Sequence, residues 1–443
     1  MEVGLPSRSS DTLFGHPRGL TVLFLTQMWA EFSFFGLQAM LVYYMTQQLG
    51  LSQAKSSLAY GAYGAAAFFS PFFGGMIADR WLGRTRSVVL GGILMMLGHF
   101  AMAFAPLLFP ALVLVAAGNG LFLPPLAVQV SHLYADDDPR KATAFSAYYM
   151  GSNLGGFLAP LICGSLGELL GWHWGFAAAG IGMLIGLIIY RAGRRLLPPE
   201  PARPAGSHMA TDAKLTRMDR QNLRTLFVVV AAVILFRIGY EQSGNVVALW
   251  IENQTDRSVS LFGHRTEVPA TWFQAVNSLL IIGLTPLLMK FWRRPAAHPD
   301  NRTLLRRMSL GCVVASLGMI VMVAAAAVQS ATAGQVGMGW VMAYLILLTL
   351  GELLVIPFGL TLVGTLSPVQ MAGMAMGAWY IAKFIGSLLA GILGAFWESI
   401  PATSFFAIGA AAVLAGAGVL YLLSVWAGEP SEADAGNMLA PST

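Results

Sequence analysis

The sequence predicts an all-α membrane protein with twelve spans, arranged as two six-helix bundles. Of its 443 residues, 56% are hydrophobic and 11% are charged, whereas a soluble chain carries about a quarter charged residues. Apolar runs of about 20 residues, the length that crosses a bilayer as a helix, recur along the whole chain. Segments of about ten residues with alternating polarity, typical of membrane β-barrels, do not occur.

Polar breaks between the apolar runs define the spans in order. We predict them at 18–47, 53–79, 86–107, 110–134, 142–170, 173–192, 223–252, 269–292, 302–328, 336–364, 370–397 and 401–427. The segment between the sixth and seventh spans is rich in Pro, Ala and basic residues and lacks an apolar run, which is typical of a flexible linker. The predicted domains are therefore a first bundle at 1–195, a cytoplasmic linker at 196–222, a second bundle at 223–428 and a disordered cytoplasmic tail at 429–443.

Lysine and arginine are distributed unevenly over the loops. The N-terminal tail, the even-numbered loops and the linker, counted with the span ends next to them, hold 21 of the 26, and the odd-numbered loops hold only Lys55, Arg257 and Arg265. Because positive loops stay in the cytoplasm during insertion, both termini are predicted to be cytoplasmic in a multi-pass inner-membrane protein. The start of the chain also lacks the features of a cleaved signal peptide. The same distribution argues against a nucleic-acid partner.

No pattern in the sequence predicts an enzyme or a cofactor. The two cysteines, Cys163 and Cys312, stand in apolar runs and are expected to be packing residues rather than metal ligands. The seven histidines are scattered, and no loop is long enough for a catalytic domain. A carrier or a channel is therefore favoured over a membrane enzyme, and a channel does not explain the two halves.

The loop after the second span reads GGMIADRWLGRTRS. Gly74 and Gly75 allow helices to approach closely, and Asp79 is placed to bridge to Arg80, Arg84 or a neighbouring helix end as a cytoplasmic latch. An ordinary charged loop at a helix end is the alternative. The loop resembles the signature of the major facilitator superfamily, and the arrangement of six spans, a linker and six spans matches that superfamily's layout.

Longer stretches resemble the proton-dependent oligopeptide transporter family of this superfamily. They occur in the same order as in that family, from about residue 20 to 395. They are AEFSFFGLQAMLVYYMTQQLGLS, AYGAYGAAAFFSPFFGGMIADRWLG, DDDPRKATAFSAYYMGSNLGGFLAPLICGSLGELLGWHWGFAAAGIGM, YEQSGNVVALW, PATWFQAVNSLLI and LGELLVIPFGLTLVGTLSPVQMAGMAMGAWY. The resemblance implies the facilitator fold and proton-driven uptake of di- and tripeptides or peptide-like compounds.

Several residues that the family uses for proton coupling and gating are replaced here. Its first helix carries Glu, two spacers and Glu-Arg-Phe, whereas this chain reads from Gln27 to Phe32 with a single acid at Glu31. Gln38 stands where the family has an arginine, and Leu123 stands at its helix-four lysine. The standard coupling mechanism is therefore not expected in unchanged form.

Other positions match the family's pocket, and the resemblance implies a substrate-binding role for them. These positions are Tyr60, Tyr63, Asn153, Glu241, Asn277, Glu352 and Trp379.

Five ionisable residues lie deep in the predicted spans: Glu31, Arg237, Glu241, Glu352 and Lys383. An isolated charge near a helix centre costs at least about 2.5–3.5 kcal/mol, so each is expected to face the protein interior or water. Three acids stand against two bases, so pairing among the five leaves one carboxylate for a proton, a polar partner or a cationic substrate group.

Helical spacing suggests how some of these residues are arranged. Gln27 lies one turn before Glu31 on the same face, which indicates a polar stripe; we predict Gln27 to bind substrate and Glu31 to act in proton coupling or gating. Arg237 and Glu241 are four residues apart, so a static intrahelical pair is one alternative and a role in coupling or gating is the other.

Lys383 follows Trp379 by one helical turn and is expected to enter the same pocket, with snorkelling toward the interface as the alternative. In the pocket it would bind a substrate carboxylate or neutralise Glu352, and Glu352 would bind a substrate ammonium. Opposite charges of this kind suit a zwitterion. Pro357, five residues after Glu352, favours a kink in that span.

Two functions remain open at this point. The first is a monomeric, proton-coupled importer of short peptides or peptide-like zwitterions, embedded in membrane lipid and coupled through a non-standard set of carboxylates. The second keeps the fold but exports or facilitates a peptide-like metabolite without coupling.

Overall fold

The computed structural model describes residues 12–13, 15–135, 138, 140–199, 216–261, 264–292, 300–367 and 372–426, and most of them are helical. The helices of the first half are α1 (Arg18–Tyr43), α2 (Gln53–Ile77), α3 (Arg84–Ala101), α4 (Leu108–Ser131), α5 (Arg140–Ala159), α6 (Ser165–Leu170) and α7 (Trp172–Ala192). Those of the second half are α8 (Arg217–Tyr240), α9 (Val246–Gln254), α10 (Trp272–Trp292), α11 (Asn301–Thr332), α12 (Met338–Leu366), α13 (Ala372–Ala395) and α14 (Ala402–Trp426).

Two pairs of these helices each form one interrupted span. A π-helical turn at Pro160–Gly164 joins α5 to α6, and a 3₁₀ turn at Glu241–Gly244 joins α8 to α9. The described helices therefore make up twelve spans, and the predicted twelve-helix fold is confirmed. Nine helices within the described ranges are long and apolar enough to cross a membrane on length and composition.

Short strands lie between some of the helices. They are β1 (Thr12–Leu13), β2 (His16–Pro17), β3 (Thr255–Asp256), β4 (Ser258–Leu261), β5 (His264–Glu267) and β6 (Val336–Gly337). Strands β4 and β5 form an antiparallel hairpin in which Ser258 pairs with Glu267 and Leu261 with His264. This hairpin stands between the seventh and eighth spans.

Helix α8 begins at Arg217, earlier than the predicted start of the seventh span at 223. The reason is a capping box: the Thr216 hydroxyl accepts a hydrogen bond from the Asp219 amide (3.1 Å), and the Asp219 carboxylate accepts one from the Thr216 amide (2.9 Å). This reciprocal arrangement satisfies two amides that the helix itself leaves without acceptors. The apolar periodicity used for the prediction starts only after this polar first turn.

Contacts between Cα atoms divide the chain into two units. Unit 1 comprises Met1–Gly206, Gln242–Pro286 and Gly391–Glu398, and unit 2 comprises Ser207–Glu241, Leu287–Ala390 and Ser399–Thr443. Unit 1 thus contains the helices of the first half together with two segments from the second half.

Helices within unit 1 approach most closely at glycines. A Cβ at Gly74 of α2 would overlap the carbonyl of Gly120 in α4, so this crossing requires glycine. A Cβ at Gly75 would meet Pro124 at an ordinary 3.7 Å. Of the two glycines predicted to permit close packing, only Gly74 does so here.

Unit 2 is built around α11, which packs against α12 and α14. A Cβ at Gly311 of α11 would lie 2.7 Å from the Gly351 carbonyl oxygen of α12. On the other face of α11, the hydroxyls of Ser309 and Ser316 donate to carbonyl oxygens of α14 at 2.8 and 3.0 Å. Small residues and serine hydroxyls therefore hold these helices together, as is usual where apolar burial gives no preference between protein and lipid.

Candidate functional site

In unit 1, the side chain of Gln27 is the centre of a buried polar cluster between α1 and α5. Only 3% of Gln27 is exposed. Its amide nitrogen donates to Glu31 Oε1 at 2.7 Å and to Ser152 Oγ at 3.0 Å, and its amide oxygen accepts from the Tyr148 hydroxyl at 2.6 Å. Both amide protons and one oxygen lone pair are therefore used within the protein.

Glu31 is the acid of this cluster, which we call the Gln27 cluster (Gln27, Glu31, Tyr148 and Ser152). It stands one turn after Gln27 and is half-buried. A neutral amide orients its carboxylate, and α5 fixes that amide in turn. An apolar span can carry this acid because its carboxylate belongs to a hydrogen-bonded network between two helices. Charged groups inside a membrane need such polar partners.

Two tyrosines of α2 lie near this end of α1. Tyr63 is 4% exposed, stacks on Phe34 with ring centroids 6.0 Å apart, and interacts electrostatically with Glu31. Its hydroxyl is buried and has no hydrogen-bond partner among the residues that the structure describes. The Tyr60 hydroxyl accepts a hydrogen bond from Gln38 Nε2 at 3.0 Å. The glutamine that replaces the family's arginine thus connects α1 to α2 through a neutral bond.

The remaining predicted residues of unit 1 lie in different surroundings. Asn153 is buried on α5 and donates to the Tyr149 carbonyl of its own helix at 3.0 Å. Asn277 is half-buried on α10. Asp79 is exposed, and within the described ranges no ion pair involves it; Arg84, one of its predicted partners, contacts His132 Nδ1 at 2.9 Å.

In unit 2, Arg237 and Glu241 form a buried ion pair on consecutive turns at the end of α8, with each side chain 6% exposed. The intrahelical pair predicted as one alternative is therefore present. The Arg237 guanidinium also lies over the ring of Tyr240, 4.9 Å from its centroid. A cation over an aromatic face in a water-poor site is attracted by the negative face of the ring.

Tyr240 links this pair to α12, because its hydroxyl hydrogen bonds to the carboxylate of Glu352. We call these residues the Arg237 cluster (Arg237, Tyr240, Glu241 and Glu352). It contains one base and two acids, all within reach of one phenol ring. Its two carboxylates and one guanidinium leave the cluster with an excess of negative charge when both acids are ionised.

Helix α13 supplies Trp379 and Lys383. Trp379 is 2% exposed, and its indole packs directly on Gly359 of α12, where a Cβ would overlap the ring. One turn later Lys383 is half-buried, with Nζ 5.7 Å from the centroid of the Tyr380 ring. Gly386 then lets α13 approach Arg237 so closely that a Cβ there would overlap its side chain. Lys383 and Gly386 are three residues apart on α13 and share one face of it. Lys383 therefore lies one turn from the point where α13 contacts Arg237.

Three contributors to these clusters were not identified from the sequence. Tyr148 and Ser152 of α5 bind Gln27, and Tyr240 connects Arg237 to Glu352. Tyr148 and Ser152 are four residues apart, a helical spacing that could have indicated a polar face on α5. Tyr240 stands between Arg237 and Glu241 in a predicted span, a position that could have indicated a polar contact of its hydroxyl.

The family model described as Major Facilitator Superfamily matches residues 23–391. The chain is 31% identical to Peptide transporter YePEPT of Yersinia enterocolitica subsp. palearctica, over 89% of this chain and 90% of that protein. It is 29% identical to a Di-/tripeptide transporter of Lactococcus lactis subsp. cremoris, over 91% of this chain and 94% of that protein.

Solved structures give the same result for the fold. The chain resembles the crystal structure of peptide transporter POT in complex with sulfate, with a TM-score of 0.85 and 27% identity, over 94% of this chain and 96% of that one. A mutant of that transporter in complex with alafosfalin gives a TM-score of 0.83 over the same shares of the two chains.

Proposed function

The chain belongs to the proton-dependent oligopeptide transporter family of the major facilitator superfamily, and from this membership we propose that it carries short peptides or peptide-like zwitterions by alternating access, driven by protons. It is a multi-pass membrane transporter and not an enzyme. We further propose import and a monomeric state. We also propose cytoplasmic termini, which the distribution of Lys and Arg over the loops supports.

The position of Glu31 in the Gln27 cluster is the observation that carries the coupling proposal. Its carboxylate accepts a hydrogen bond from the Gln27 amide, and a carboxylate inside a membrane changes its electrostatic energy strongly when it takes a proton. The same amide is bonded to Tyr148 and Ser152 on α5. A proton on Glu31 would thus alter the bonds between α1 and α5, which is how protonation would be linked to helix movement.

Gln27 was predicted to bind substrate, and its contacts favour a different role within the same proposal. Three of its hydrogen bonds are made inside the protein, so we assign it to positioning Glu31. Tyr63 is a better candidate for a direct contact with the substrate, because its buried hydroxyl makes no hydrogen bond to any residue that the structure describes and can therefore donate to a ligand.

The substrate proposal depends on unit 2. Glu352, tied to Tyr240, is the proposed partner of the peptide ammonium, and Lys383 is the proposed partner of the peptide carboxylate. Arg237 and Glu241 form a buried ion pair on the helix that carries Tyr240, and the charges of a bound ligand would change the electrostatic energy of this pair. Asn153, Asn277, Trp379, Tyr60 and Asp79 keep their predicted roles in binding or gating as proposals.

Glu31→Gln tests the coupling. Because the glutamine carbonyl still accepts the bond from Gln27 but carries no titrating proton, the variant should exchange peptide and fail to accumulate it. Purified protein in liposomes would be given labelled dipeptide with and without an inward pH gradient. Wild type should accumulate peptide only with the gradient, and Glu31→Gln should reach equal concentrations on both sides. Glu267→Gln, an exposed acid on β5, should behave as wild type.

Gradient-driven accumulation by Glu31→Gln would refute the role of Glu31. Exchange without accumulation in the wild type would instead support an uncoupled facilitator. This second function is favoured by Gln38 and Leu123, which stand where the family's charges are expected.

Glu352→Gln and Lys383→Ala test the binding residues. Each should weaken peptide binding by about 2 kcal/mol or more, because one charge of the zwitterion then lacks its partner. The dissociation constant would rise at least about thirtyfold, so binding should no longer be readily detected. Binding would be measured by competition against a labelled dipeptide. Glu398→Gln and Lys290→Ala, at exposed positions, are the matched controls. Full affinity in both test variants would remove Glu352 and Lys383 from the site.

A further inference from the structure

Unit 1 contains a joint between the two halves of the sequence. The Tyr43 hydroxyl donates to the Ala248 carbonyl at 2.9 Å, and the Ser57 hydroxyl donates to Asn245 Oδ1 at 2.8 Å. Gln53 donates to the Gly394 carbonyl at 3.0 Å. The residues of the joint come from the end of α1, the start of α2, helix α6 and the segments 242–286 and 391–398, at the end of the helices that is predicted to face outside.

Glu168 makes the charged contact of this joint. One carboxylate oxygen accepts from the Ala270 amide at 3.0 Å, and the other accepts from the Thr271 amide at 2.8 Å. These amides lie immediately before α10, where a helix leaves its first N–H groups without acceptors and carries partial positive charge. Charge-assisted bonds of this kind are about twice as strong as neutral ones.

Glu168 is held against α10 by further contacts. The Trp272 indole donates to Ser165 Oγ at 2.8 Å, one turn before Glu168 in α6. A Cβ at Gly164 would overlap the Thr271 side chain, so this side chain packs directly on the Gly164 backbone where the π-helical turn ends. The contact between α6 and the start of α10 is therefore a close-packed and directional one.

We infer that Glu168 is a gating residue: its carboxylate, bound to the Ala270 and Thr271 amides, locks the outer joint and must release them when the transporter opens outward. Glu168 acts through α10 and does not touch the substrate. Alternating access moves one six-helix half against the other, and the contacts of the joint link these halves. The inference rests on the proposed alternating access and is independent of which peptide is carried.

The outer opening can be measured without substrate. Lys55→Cys and Ser260→Cys introduce thiols at two exposed positions of unit 1, one from each half of the sequence. The native Cys163 and Cys312 are buried, so spin labels should attach to the new thiols. Pulsed electron paramagnetic resonance in nanodiscs then gives the distance distribution between the labels.

Glu168→Gln should raise the ratio of long to short distances about tenfold, since one charge-assisted bond becomes neutral and the other is lost, because the NH2 group of glutamine cannot accept from a backbone amide. Glu168→Asp should act in the same direction, because its shorter side chain draws the oxygens away from the amides. Glu267→Gln removes an equal charge from the exposed residue 3.8 Å from Arg257 and should leave the distribution unchanged. Peptide exchange is recorded separately, so failure of the proposed substrate does not affect the result.

Unchanged distances in both Glu168 variants would overturn the inference. A lower melting temperature with the wild-type distribution would also overturn it, because that result shows a structural role only. A tenfold shift in Glu267→Gln as well would assign the effect to surface charge and not to the contact with α10.

Discussion

Arg237 and Glu241 form a buried ion pair whose two members differ in their other neighbours, and this difference predicts unequal effects of removing them. Arg237 lies over the Tyr240 ring at 4.9 Å, and Tyr240 hydrogen bonds to Glu352. Removing Glu241 leaves the guanidinium over the face of an aromatic ring whose hydroxyl binds the Glu352 carboxylate. Removing Arg237 leaves the Glu241 carboxylate without its paired cation.

The magnitudes follow from these surroundings. Breaking a buried ion pair by removing one partner costs about 3–5 kcal/mol. We expect Arg237→Met to reach the upper part of this range, because it also loses the cation–π contact, worth about 0.5–2 kcal/mol. Glu241→Gln should fall at or below the lower limit. The double variant should regain most of the loss, since it leaves no unpaired charge from the pair.

Equilibrium unfolding in mixed SDS micelles, followed by tryptophan fluorescence, measures these free energies. Arg265→Met, at an exposed position of β5, is the control and should unfold as wild type does. The reasoning fails if Glu241→Gln is the more destabilising variant, or if the two single effects simply add in the double variant.

Two further predictions concern packing and a surface loop. Gly359→Ala should lower the free energy of unfolding by about 1–3 kcal/mol, because the new Cβ overlaps the buried Trp379 indole. Gly364→Ala on the same helix is the matched control, since no atom lies within 4 Å of a Cβ at that position. Equal stability of the two variants would contradict the packing argument. Hydrogen bonds from Arg140 lower the pKa of Asp138 to about 2. The contact between the two residues should therefore be fully formed at pH values above the usual pKa of an aspartate and be lost as the pH falls through about 2. Arg140→Gln should return the Asp138 pKa toward its ordinary value in an NMR titration of the carboxyl carbon, and an unchanged value would refute the cause.

Composition and periodicity were sufficient for the class and the order of the spans. A shortage of charge and recurrent apolar runs have one physical explanation in a long chain, so the twelve spans could be predicted with boundaries close to those of the helices. The start of α8 was placed too late because its capping box is polar. Membrane topology is largely a property of local sequence, since each span must satisfy its own backbone in lipid.

The candidate site was predictable only in part. In-span charges stand out in an apolar sequence, so Glu31, Arg237, Glu241, Glu352 and Lys383 could be singled out. The pairing of Arg237 with Glu241 was also foreseeable, because both stand on one helix at a spacing of one turn. Partners on other helices are not encoded by any local spacing.

The sequence by itself determined that this chain is a twelve-span helical membrane protein with a few acids and bases in its spans. Only the tertiary structure decided that Gln27 is bound by Tyr148 and Ser152, that Tyr240 reaches Glu352, and that Glu168 caps α10. The physical reason is range: hydropathy and helical periodicity act over one or two turns, whereas a hydrogen bond between helices depends on how distant segments cross and rotate. In the alternating-access cycle that we propose, these long-range bonds are the ones expected to change.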